Sequence, residues 1–169
     1  MNKAEQKELE RSSELSDKGK HAEAISRLEI LETSADREVH DMALNYLADA
    51  YAATGRNADA EAMLRRSIGE RGGTNEGLGS QLAALAVVVR RQGRDEEAEE
   101  LYLRALDEQR PDGPEIKAIT SRNMAYLYWT TGRRELALEL LDRVPECNEG
   151  FLDFLTGVMK PYIEPEIPV

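Results

Sequence analysis

Two histidines, one cysteine and 33 acidic side chains are the groups in this 169-residue chain best suited to do chemistry. Their spacing does not assemble a reacting site. His21 comes just after Gly19, and His40 lies near the start of a predicted helix. Neither accompanies a serine or cysteine in a nucleophile setting. Cys147 follows Pro145 and reads as an ordinary thiol, reactive only where exposed. A single cysteine excludes an internal disulfide, and with two distant histidines it offers no metal cage. Pairs such as Glu96/Glu97 and Glu99/Glu100 would need a pocket for acid–base work; beside nearby arginines they read as solvated helix faces. The glycines at 69, 72, 73, 77 and 79 have neither a preceding strand nor a Gly-Lys-Ser/Thr ending, so they form no phosphate loop. The residues therefore predict no catalysis, no cofactor and no bound metal.

Recognition is the remaining class, and composition narrows it. The net charge of −11 argues against nucleic acid, whose phosphates require clustered Lys and Arg. Such acidity serves solubility and leaves room for a basic partner. The N-terminus lacks the apolar core of a signal peptide, and no stretch reaches the ~18 apolar residues of a membrane span. The expectation is a cytoplasmic protein away from membranes. With aromatics at only 5%, the apolar content rests on Leu and Ala, which favours closely packed helices over a sheet.

The elements that must position any binding residues repeat. Gly19, Gly55, Gly93 and Gly132 are each followed five residues later by an alanine: Ala24, Ala60, Ala98 and Ala137. Each glycine precedes Lys or Arg, a short polar run and an amphipathic stretch. Seven residues before the last three glycines stand Ala48, Ala86 and Ala125, next to Leu47, Leu85 and Met124; four before are Tyr51, Val89 and Tyr128. These offsets place one small and two large apolar groups on one helical face. Short side chains at two facing positions let helix backbones approach, and glycine suits the left-handed turn between them. The pattern predicts helices at about 3–18, 21–33, 37–54, 57–69, 77–92, 95–109, 115–131 and 133–144. Pro145 ends the last of these. Beyond it, Phe151, Leu152, Phe154, Leu155, Val158 and Met159 predict a capping helix over 149–159, followed by the proline-rich tail 161–169.

The strings "LADAYAATGRNADAEAMLRRSI", "LAVVVRRQGRDEEAEELYLRAL" and "MAYLYWTTGRRELALELLDRV" resemble tetratricopeptide repeats. The middle one is similar to the longer-period type of kinesin light chains and many bacterial proteins. The usual period is about 34 residues, and the spacing here is longer by about one helical turn. The resemblance implies an all-α, right-handed superhelical solenoid of antiparallel helix pairs. It would form one domain over 1–160, with repeats near 3–33, 37–69, 77–109 and 115–144 and a C-terminal capping helix. The first unit, with Arg11 and Ser12 where the others carry Leu47 and Ala48, reads as a polar cap.

By the same resemblance, groove-facing side chains lie thirteen, ten, six and three residues before each glycine. These are Gln6, Leu9, Ser13 and Ser16 in the first unit, then Met42, Asn45, Asp49 and Ala52; Ser80, Ala83, Val87 and Arg90; and Ile119, Arg122, Tyr126 and Trp129. Arg, Tyr and Trp dominate binding hot spots. The expected site is thus a concave groove of Asn45, Asp49, Ala83, Val87, Arg90, Arg122, Tyr126 and Trp129, holding a peptide with a carboxylate near Arg90 and Arg122. The Lys/Asn clamp some family members use for a C-terminal carboxylate is missing, since Leu9, Ser13 and Tyr46 stand in its places. The expected function is an adaptor for a protein or peptide partner. A self-assembling homo-oligomer, such as a homodimer joined through the end helices or the tail, and a regulatory subunit of an enzyme are the alternatives.

Overall fold

The computed structural model describes residues 3–71, 77–108 and 114–143. Among these residues the regular elements are eight α-helices: α1 (Lys3–Asp17), α2 (His21–Leu31), α3 (Arg37–Ala53), α4 (Asn57–Gly69), α5 (Leu78–Arg91), α6 (Asp95–Glu108), α7 (Pro114–Thr130) and α8 (Arg134–Asp142). Every bound falls within two residues of the sequence expectation. The glycine-rich stretch 72–76, Cys147, the expected capping helix 149–159 and the tail 161–169 lie outside the described residues.

Two compact units divide the chain, Met1–Pro111 carrying α1–α6 and Asp112–Val169 carrying α7 and α8. In the first unit each helix packs on the next in order, and α1 also reaches α3. In the second, α7 packs on α8.

One turn recurs inside all four pairs. Gly19, Gly55, Gly93 and Gly132 have φ of 72°, 76°, 77° and 82°. The next residue's N–H closes back over five residues: Lys20 to the Leu15 carbonyl at 2.8 Å, Arg56 to Tyr51 at 2.8 Å, Arg94 to Val89 at 3.3 Å and Arg133 to Tyr128 at 2.8 Å. This bond satisfies helix-end carbonyls that would otherwise lack a donor. Where the residue five back is tyrosine, the basic side chain also covers its ring, Arg56 at 4.2 Å from Tyr51 and Arg133 at 4.6 Å from Tyr128. A Cβ on Gly93 would meet nothing within 4 Å, so its substitution tests backbone conformation alone. Gly93→Ala is expected to cost about 1–2 kcal/mol in urea unfolding. A loss below a few tenths would show that the left-handed turn is not required.

The core follows the small-and-large pattern. Ala24, Ala60, Ala98 and Ala137 are fully buried, as are Ala86 and Ala125, with Leu44, Leu47, Leu82, Leu85 and Tyr102 around them in the first unit. α1 buries only Leu9 and Ser12, in keeping with a polar end unit.

A lattice of ion pairs joins successive second helices. Glu32 meets Arg66 at 3.5 Å, Glu61 meets Arg94 at 2.8 Å, and Arg65 bridges Glu61 at 2.8 Å and Glu97. Glu61 is its hub, with a side chain only 13% exposed that also accepts from Gln92 at 2.8 Å. Burial raises the Glu61 carboxyl, but the bonds from Arg65, Gln92 and Arg94 outweigh it and hold the group below the usual carboxylate range. A carboxyl whose folded value lies below its unfolded one stabilises fully above the unfolded value and loses that stabilisation as pH falls through the folded one. Glu61→Gln should therefore cost about 1–2 kcal/mol at neutral pH and make the acid side of the stability–pH curve shallower. A difference between wild type and variant that stays constant from neutral pH into acid would contradict the lattice.

Candidate binding groove

The inner surface of the first unit is built from one row of α3. Arg37, Asp41, Asn45 and Asp49 recur every fourth residue and so share a face. Facing them, Ser67 and Arg71 at the end of α4 and Ser80, Gln81 and Ala84 of α5 enclose a cavity of about 730 Å³. Its floor is a polar network. The Gln81 side-chain amide donates to Asn45 Oδ1 at 2.8 Å and to Ser67 Oγ at 2.7 Å, and Ser67 Oγ donates to Asn45 Oδ1 at 3.4 Å. Arg71 donates to Gln81 Oε1, which fixes that amide's orientation. Arg37 pairs with Asp41 at 3.6 Å and donates to the Glu70 carbonyl.

A second cavity, about 290 Å³, opens between α1 and α3, lined by Ser13, Ser16, Asp17, His21, Tyr46 and Asp49. Asp49 belongs to both cavities. It is open to water, and the partial desolvation of its carboxyl between the two cavities pushes it above the ordinary aspartate range.

The other expected residues fall in different settings. On α5, Ala83 is buried and Val87 half-buried. Arg90 is half-buried beside the core, where its charge acts on the Tyr102 phenol of α6. In the second unit, Arg122 is exposed and Tyr126 half-buried, one turn apart on α7. Trp129 is only 9% exposed, with the Arg134 guanidinium 5.4 Å from its ring centre. Its indole N–H has no hydrogen-bond partner among the described residues. Leu9 is core, whereas Ser13 and Ser16 line the smaller cavity and Ser80 the larger. Sequence reasoning missed Ser67, Arg71 and Gln81. Gln81 is one residue from Ser80 and two before Ala83, the repeat equivalent of Asn45, so the groove offsets pass over it.

Two family models, both described as tetratricopeptide repeat, match residues 9–75 and 70–145. The chain belongs to the tetratricopeptide repeat family. Such repeats serve as protein–protein interaction scaffolds and are typically non-catalytic. Solved structures extend the likeness at the level of fold. A singly substituted form of the kinesin light chain TPR-like repeats of Podosopora anserina has a TM-score of 0.70 and 18% identity, over 99% of this chain and 81% of that one. Its counterpart without the substitution gives 0.69 at 19% identity, over 96% and 78%. BtubC (BKLC) of P. vanneervenii gives 0.64 at 21% identity, over 89% and 70%. The fold is thus an all-α helical-repeat solenoid. No curated protein matches this tetratricopeptide repeat chain in sequence. Among the described residues, no helix is long and apolar enough to cross a membrane.

Proposed function

We propose that this tetratricopeptide repeat chain is an adaptor that holds an extended segment of a partner protein along the inner face of α1, α3 and α5. The observation that carries it is the pair of cavities that share Asp49, each lined mainly by polar side chains. Gln81 and the buried Ser67 fix the Asn45 amide through its Oδ1, which leaves the Asn45 N–H groups to donate to a backbone carbonyl. A fixed polar floor lowers the ordering cost of binding.

A random peptide library displayed on phage tests the groove directly. Peptides selected on the wild-type protein should be lost on Ser80→Trp and Ala84→Trp, which fill the larger cavity. They should be retained on Glu100→Trp, which alters an exposed position of α6. Peptides that bind all three variants equally would place recognition elsewhere and overturn the proposal.

A further inference from the structure

The smaller cavity has a chemical bias of its own. Asp17 and Asp49 both line it, and neither carboxylate has a hydrogen bond or ion pair among the described residues. The arginines lining the neighbouring cavity are already engaged, Arg37 with Asp41 and the Glu70 carbonyl, Arg71 with Gln81. Between α1 and α3 the lining contains no Lys or Arg. The His21 ring adds a buried Nδ1 without a hydrogen-bond partner among the described residues. Ser13, Ser16 and Tyr46 supply further oxygens. This wall is rich in acceptors and has no cation of its own. Its complement is a group with several N–H donors and a positive charge, which among side chains means a guanidinium or an ammonium.

We propose that the cavity between α1 and α3 receives the side chain of an arginine or lysine in the bound segment, with the carboxylates of Asp49 and Asp17 as its partners. The proposal rests on the groove described above and specifies what the groove selects. A bound cation beside Asp49 favours its charged form, which desolvation disfavours. Asp49→Asn should leave the melting temperature of the free protein unchanged or raise it, while weakening the ligand.

The test uses the same random peptide library, selected separately on wild type, Asp49→Asn and Asp49→Lys. Wild-type peptides should carry Arg or Lys at one fixed position. Their affinity should drop about tenfold or more on Asp49→Asn and fall with added salt more steeply on wild type than on the variant. Asp49→Lys should exchange that preference for Asp or Glu. Groove-bound peptides with no basic position, or with affinities indifferent to Asp49→Asn, would overturn the cation site while leaving the groove intact. Peptides insensitive to the cavity-filling tryptophans would overturn both.

Discussion

Tyr102→Ala should lower stability by about 3–5 kcal/mol, the largest single loss expected from the first unit. Tyr102 is the bulkiest of the fully buried side chains and lies on α6, packed against α5. Removing the ring leaves a void between two helices whose backbones are already held close by Ala86 and Ala98, both fully buried. Neither helix can close a gap that its neighbours hold open, so the cavity persists and its lining loses dispersion contacts. The phenol contributes little to this. Burial pushes its ionisation up to about 12, with the Arg90 charge pulling the other way, so it is neutral at physiological pH. Tyr102→Phe should therefore cost about 1 kcal/mol or less. Urea midpoints for the two variants separate the terms. Equal losses for Ala and Phe would show that the hydroxyl, rather than ring volume, stabilises the pair.

Ala98→Leu should cost about 3 kcal/mol, the upper range for overpacking. Ala98 is 0% exposed and holds the small position that recurs as Ala24, Ala60 and Ala137. A leucine there must push α6 away from α5, and the shift would strain the ion pairs joining Glu97 of α6 to Arg65 of α4. Pairing it with Ala86→Gly gives a sharper test. If the two positions share one contact, the second change should recover part of the loss beyond additivity. A well-folded Ala98→Leu protein with an unchanged urea midpoint would mean that these alanines are not contact points.

The helix pairs were legible because their determinants are local. A glycine at φ near +75° and alanines at fixed offsets report on one turn and one face, and neither depends on distant chain. Asn45 and Asp49 were legible for the same reason, as positions on a repeating helix face. Arg90 and Trp129 were not, because offset fixes only where the Cα sits. Their long side chains turn toward neighbours, Arg90 toward Tyr102 and Trp129 beneath Arg134. Ala83 carries a methyl that exposes little wherever it stands. The Glu61–Arg94 and Arg65–Glu97 bridges join residues 33 and 32 apart. In sequence those glutamates look like any solvated helix face, and only the stacking of successive pairs brings them to arginines.

Amide shift mapping of the protein with a library-selected peptide tests the central claim most directly. The predicted result is a contiguous set of perturbed amides along the inner face, centred on Ser13, Asn45, Asp49, Ser80 and Gln81, with α2 and the outer residues of α4 and α6 unmoved. Perturbations confined to α2, α4 and α6 would contradict a groove-binding adaptor.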